Sequence, residues 1–205
     1  ELRLDLEAGA DSRLEFFLKA MTPLKDAGKL GPLLLQLPPS LSFDPERLKA
    51  FLEIVPQQWP MAVEFRHRSW LQADTFNILR RHQAAYCIVD APVMPPRVEV
   101  TAPFSYIRWH GHGEHLMYYY LYDEEELDEW VPKVLELEEK SPDGVYGYFN
   151  NHWFGFAARN CVELQDLLGL ESRMQPHIRQ RLKRVTDQRI KVKPSQQTEL
   201  DSFAD

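Results

Sequence analysis

Met61-Ala62-Val63-Glu64-Phe65-Arg66-His67-Arg68-Ser69-Trp70 opens as a buried strand and ends in charge. Met61, Val63 and Phe65 alternate with Ala62, Glu64 and Arg66. Side chains of a strand point alternately to its two faces, so Glu64 and Arg66 share one face. A lone carboxylate in a packed core is costly, and a neighbouring guanidinium lowers that cost. A strand that finishes with Glu and Arg on one face therefore leads into a polar site.

Four other segments finish the same way. Pro32 to Leu37 is apolar and closes with Gln36, ahead of Pro38-Pro39. Ala85 to Asp90 closes with an acid, Phe104 to His110 with Arg108 and His110, and Val145 to Asn150 with Asn150 followed by Asn151. Helical patterns lie between them. Ser12 and Glu15 have capping-box spacing, with Leu14, Phe17, Leu18 and Met21 on one face and Gly28 and Gly31 as the stop. Asp44-Pro45 is an N-cap followed by a first-turn proline, ahead of the stripe Leu48, Phe51, Leu52 and Val55. Asp74 caps a helix carrying Phe76, Ile78 and Leu79. Asp123 and Glu126 open an acidic helix through Leu127, Trp130, Val134 and Leu137, kinked at Pro132. Beyond Gly155, Ala157, Cys161, Leu164 and Leu168 form the inward face of another helix. Strands alternating with helices predict parallel pairing, and near-continuous apolar strands predict a sheet covered on both faces. The fold class is α/β. A (β/α) barrel would gather the polar strand ends at one mouth, but five strands are legible where a closed barrel has eight.

The 205 residues suffice for one domain with a real core, or one domain and a tail. No apolar run approaches the roughly 20 residues of a membrane helix. A formal net charge of −7 argues against a general affinity for nucleic acid, yet the charge is unevenly placed. Asp123 to Glu139 holds nine acids and one base, and Arg173 to Lys193 holds eight bases and one acid. Cys87 and Cys161 make neither a disulfide framework nor a zinc pattern and read as small buried residues, which fits a cytoplasmic protein.

Gly31-Pro32-Leu33-Leu34-Leu35-Gln36-Leu37-Pro38-Pro39, Ala62-Val63-Glu64-Phe65-Arg66-His67, Tyr106-Ile107-Arg108-Trp109-His110-Gly111 and Val145-Tyr146-Gly147-Tyr148-Phe149-Asn150-Asn151 resemble the signature segments of the YecE-like family, domain of unknown function 72. They stand in that family's order and cover about residues 2–170. The resemblance implies a TIM-type (β/α) barrel of no established activity, here an incomplete barrel with about five parallel strands. The family opens with about three further strand units that have no counterpart here. The resemblance is thus to the last five-eighths of a member, either as a fragment or as an open sheet that another chain completes. His112 and His115 go beyond the family pattern.

The strand ends offer two carboxylates, two guanidiniums, one imidazole and three amides. Glu64, Asp90 and His110 are the candidates for acid–base work, since a carboxylate pair in unlike environments or an imidazole near neutral pH moves protons. Gln36, Arg66, Arg108, Asn150, Asn151 and Arg159 are the candidate ligand-binding residues, because guanidiniums clamp phosphates and carboxylates by paired hydrogen bonds. The set suits a phosphate-bearing or other anionic ligand. The competing reading makes Glu64–Arg66 and Asp90–Arg108 structural ion pairs. The run His110-Gly111-His112-Gly113-Glu114-His115 offers metal ligands from one segment, against which its glycines argue for a mobile loop. Trp70 and Trp153 follow strand ends and either line the mouth or pack in the core. No Gly-rich phosphate loop, Ser-His-Asp signature or dinucleotide fingerprint is present, and no particular cofactor or metal is indicated.

Residues 171–193 form a basic helical segment, with Ile178, Leu182 and Val185 on one side. Residues 194–205 have the composition of a disordered tail. Within it Gln197, Leu200 and Phe203 have the spacing of the box by which replication and repair proteins bind sliding clamps, although Ala204 stands where a second aromatic is usual. Three readings stay open. The first is a barrel protein binding or hydrolysing a phosphate-bearing ligand, linked to nucleic-acid metabolism through its tail. The second is an enzyme of small anionic sugar metabolism, and the third a non-catalytic binding or scaffold protein.

Overall fold

The structure, a computed structural model, describes residues 10–92, 94–113 and 118–190. The expected strands form as β1 (Leu33–Gln36), β2 (Met61–Glu64), β3 (Ala85–Asp90), β4 (Ser105–Trp109) and β5 (Val145–Phe149). They make one sheet in the order β1-β2-β3-β4-β5. β1 runs parallel to β2 with Gln36 beside Glu64, and β2 runs parallel to β3 with Val63 beside Tyr86. At the start of β4 the amide of Ser105 donates to the Gly144 carbonyl at 3.1 Å; at its end the amide of Asn150 donates to the Trp109 carbonyl at 2.7 Å. Start meets start and end meets end, so this pair is parallel too. The fold is α/β, an incomplete TIM-type (β/α) barrel with five parallel strands.

The described chain divides into two compact units. One carries the residues up to Arg108 with Val134–Gly147, the other Trp109–Lys133 with the residues from Tyr148 on. In the first, α1 (Ala10–Asp26), α2 (Pro45–Ile54) and α3 (Ala73–Arg81) alternate with the strands. Asp44 caps α2 as expected, accepting from the Arg47 amide at 3.0 Å, and Leu48, Phe51 and Leu52 are its buried stripe. Phe65 stacks on Trp70 and on Tyr86, and Tyr86 meets Phe76 of α3 edge-on. The odd-numbered residues of β2 and the even-numbered residues of β3 therefore face the helices, and Glu64 and Cys87 face the other way.

Three helix expectations need correction. α1 already runs through Ser12, so Ser12 is not its cap. α3 is preceded by Gln72 as N-cap, and Asp74 lies in its first turn, where a carboxylate favours the helix dipole without ending the helix. The acidic helix is two helices, α4 (Glu124–Asp128) with the expected capping box of Asp123 and Glu126, and α5 (Val131–Lys140). Pro132 is the second residue of α5, where a proline's missing N–H costs nothing, so the chain breaks before it and restarts.

In the second unit α6 (Phe156–Leu167) and α7 (Pro176–Ile190) pack together, and α7 also packs on the short 3-10 turn Trp153–Gly155. Gly155 sits at φ 85°, and a Cβ there would lie 3.0 Å from Leu182 Cδ1 of α7. Left-handed backbone and close approach both demand glycine. Gly155→Ala is expected to cost about 1–2 kcal/mol, lowering the melting temperature by about 2–8 °C. An unchanged thermal melt would mean that α7 does not press on this turn.

Candidate functional site

The carboxylate at the end of β2 organises the first unit's polar residues. Glu64 is fully buried, at 0% exposure. Its Oε1 accepts from Arg66 Nε at 3.0 Å, and its Oε2 accepts from Arg108 Nη1 in a short hydrogen bond. The same Arg108 nitrogen donates to Gln36 Oε1 at 2.8 Å. Register explains the meeting: parallel pairing sets Gln36 beside Glu64, and Arg108 on the even-numbered face of β4 spans the width of β3 to reach both. Two cations share one anion, which leaves the cluster one unit positive. The Arg108 side chain is 13% exposed and that of Arg66 is 30% exposed, so the surplus charge borders solvent. Beside it, burial and then the Glu64 charge push the Cys87 thiol up, partly opposed by Arg108 and Arg66, so Cys87 stays a neutral thiol.

Asp90 closes β3. It is buried and has the strand parity of Tyr86, whose ring packs on α3, so alternation places it on the sheet face opposite Glu64. The guanidinium of Arg108 pairs with Glu64. Trp70 is core rather than lining: it is 1% exposed, stacks on Phe65, and its Nε1 donates to the Leu41 carbonyl at 2.9 Å. A cavity of about 430 Å³ in this unit, lined in part by Trp59, Met61, His82, Ala84 and Phe104, lies at the other end of the strands. Met61 opens β2 and Glu64 closes it, so cavity and charge cluster are separate features.

In the second unit the strand-end residues are tied into a buried amide network. Asn151 Nδ2 donates to the Tyr120 carbonyl and to Asn160 Oδ1, both at 2.8 Å. Asn160 Oδ1 also accepts from the Tyr122 amide at 3.1 Å, and its Nδ2 donates to the Tyr122 carbonyl at 2.8 Å. The Tyr122 hydroxyl accepts from the Gly111 amide at 2.9 Å. Asn151 thus holds the chain leaving β5 against the segment before α4, and Asn160, fully buried on α6, is its partner. Sequence reasoning did not give Asn160 this role, because it expected Cys161 and Leu168 on the inward face; both are only half-buried, while Asn160 and Val162 are buried. Asn151 Oδ1 and Trp109 Nε1 are buried with no hydrogen-bond partner among the described residues. His110 is buried and its ring meets that of Tyr118 edge-on at 5.6 Å, while Asn150 is half-buried.

Arg159 is occupied by a structural task. Its Nε donates to Glu163 at 2.8 Å and its Nη1 to Thr186 Oγ1 at 2.8 Å and to Asp187, so it fastens α6 to α7. Among the described residues no three of His, Cys, Asp and Glu converge as a metal site. His115 of the expected ligand run and Gln197, Leu200 and Phe203 of the clamp-type box lie outside the described residues. No helix among those residues is long and apolar enough to cross a membrane.

Five parallel strands with a charged cluster at the carboxyl ends of β1, β2 and β4 define an α/β protein of the TIM-barrel class. The chain belongs to the DUF72 family, proteins of unknown function, whose model matches residues 3–184. It is 26% identical over 187 residues to the UPF0759 protein YunF of Bacillus subtilis (strain 168), a match covering 78% of this chain and 66% of that protein. Among solved structures, a DUF72 family protein of Thermotoga maritima MSB8 matches at 33% identity with a TM-score of 0.73, covering 78% of this chain and 65% of that one. A DUF72 family protein of Enterococcus faecalis V583 matches at 27% identity with a TM-score of 0.69, covering 76% of this chain and 67% of that one. The chain therefore spans about two thirds of the length of these relatives.

Proposed function

We propose that Gln36, Glu64, Arg66 and Arg108 form a ligand site and that its ligand carries a phosphate or an equivalent anion. One observation carries this reading: two guanidiniums share a single, fully buried carboxylate, leaving surplus positive charge at the strand ends. Each guanidinium has five N–H donors in a fixed fork, and Glu64 and Gln36 engage only part of them. The remaining donors point to planar, multidentate recognition of an oxyanion. The carboxyl ends of the strands are also where proteins of this class take their ligands. Glu64 acts here as an orienting group. Both its oxygens are engaged by cations, so it sets the two forks rather than shuttling a proton, and the reading is one of binding before chemistry.

Titration calorimetry with inorganic phosphate, pyrophosphate and a nucleoside monophosphate tests the site. At least one of these anions is expected to bind saturably. Arg108→Lys, which keeps the charge and loses the fork, is expected to weaken that binding about tenfold, the equivalent of roughly 1.4 kcal/mol. Binding unaltered by Arg108→Lys, or no binding of any of the three, would overturn the proposal.

A further inference from the structure

Helix α7 and the residues just before it carry charge that the other described residues neutralise only in part. Elsewhere several basic side chains pair with acids, as in Lys49–Glu46, Arg80–Glu99 and Lys140–Glu136. Between Arg173 and Arg189 there are six Lys and Arg residues and one acid, Asp187, in a chain of net charge −7. Asp187 is taken by Arg159, Arg179 pairs with Asp166, and Arg189 lies over the Phe154 ring at 4.8 Å. Arg173, Arg181, Lys183 and Arg184 are exposed and form no ion pair among the described residues.

Arg181 and Arg184 share one face of α7 with His177 and Gln188, while Lys183 lies off that face and Arg173 precedes the helix. His177, Arg181, Arg184 and Gln188 follow one another at spacings of four, three and four, which puts them on one helix face. At 1.5 Å per residue that stripe is about 16 Å long. The opposite face is fixed: Leu182 presses on Gly155, and Arg159 grips Thr186 and Asp187. The stripe is thus presented by an anchored helix.

We propose that this face of α7, with Arg173 before the helix and the long side chain of Lys183 reaching round from its flank, docks the phosphate backbone of a nucleic acid. A strand of duplex carries a phosphate every 3.4 Å along the axis, so a stripe of about 16 Å covers about five of them. A lipid surface fits less well. Among the described side chains of α7 the large exposed apolar groups are Ile178 at 42% and Val185 at 38%, with no aromatic, and an interfacial helix needs a broad apolar face with large residues to bury. An acidic protein partner would ask for aromatic anchors, which the stripe lacks. This surface does not rest on the Glu64 cluster, and its test reads residues absent from that cluster.

The test is fluorescence anisotropy of a labelled 20-base-pair DNA duplex titrated with the full chain. If Arg173, Arg181, Lys183 and Arg184 each neutralise one phosphate, the log–log salt slope is about −3.6, and affinity falls about a hundredfold between 50 and 200 mM salt. R181Q/K183Q/R184Q is expected to bind at least tenfold more weakly at 50 mM salt and to flatten the slope to about −1. The milder R173Q/R184Q, on exposed positions at two points of the surface, is expected to bring the slope to about −2 and serves if the triple variant melts early. K49Q/K140Q, on other surfaces, is expected to change nothing. The proposal is overturned if the chain does not bind the duplex at 50 mM salt or if the α7 variants bind within twofold of the parent. It is also overturned if vesicles of 30% phosphatidylserine or poly-glutamate bind as tightly as the duplex.

Discussion

Glu64→Ala is expected to lower the melting temperature by about 6–12 °C. Removing one partner of a buried ion pair costs about 3–5 kcal/mol, because the charge left behind stays buried. The low end applies, since Arg66 is 30% exposed and water reaches part of its charge. About 3 kcal/mol in a chain of 205 residues is about 6–12 °C. The source of that cost is separately testable. If it is the uncompensated cation, Glu64→Ala with Arg108→Met recovers much of the loss, and a double-mutant cycle reads a coupling above about 0.5 kcal/mol. A Glu64→Ala chain that melts like the parent would mean that the carboxylate is not enclosed between the guanidiniums.

Trp70→Ala is the other large effect. The indole is 1% exposed, stacks on Phe65 with centroids 4.7 Å apart, and meets Phe43 edge-on at 5.2 Å. Truncating a buried aromatic costs about 3–5 kcal/mol, or about 6–20 °C here. Trp70→Phe keeps much of the ring and loses the hydrogen bond to the Leu41 carbonyl, so about 1 kcal/mol is expected from the missing bond. Equal melting temperatures for the two variants would contradict this apportioning. Trp70 lies at the end of the 3-10 turn Arg68–Trp70 directly after β2, so its anchoring also fixes the backbone through which Arg66 turns back on Glu64.

Much of this was written into the sequence, for identifiable reasons. Strand alternation put Glu64 and Arg66 on one face, and they bond there at 3.0 Å. Ala85 to Asp90 forms a strand with the expected bounds, since a continuous apolar run between a turn and a proline-rich connection has few alternatives. Local patterning does not reach across strands, however. Arg108 and Gln36 are 72 residues apart, and their bond follows from strand order and register, which no segment encodes alone. Asp90 shows what parity adds to position. An acid at a strand end reads as a site residue, and alternation gives this one the parity of Tyr86, which meets Phe76 of α3.

The helices erred for reasons of partnership. Ser12 has the spacing of a cap but stands inside α1, because the helix begins earlier than the motif. Asn160 displaced Cys161 from the buried face of α6, because its amide satisfies the backbone of Tyr122, a requirement set by another segment. On α7, Ile178 and Val185 look like a core stripe but are partly exposed, while Thr186 is buried with its hydroxyl bonded to the Leu182 carbonyl and to Arg159. Of the apolar side, Leu182 presses on Gly155, and the rest of the packing there is polar.

The strand-end cluster is tested most directly by a crystal structure of the chain grown with pyrophosphate. The Glu64 carboxylate is expected between the guanidiniums of Arg66 and Arg108, with the anion within hydrogen-bond distance of both. Arginines parted from Glu64, or pyrophosphate bound on α7 and absent from the strand ends, would contradict it.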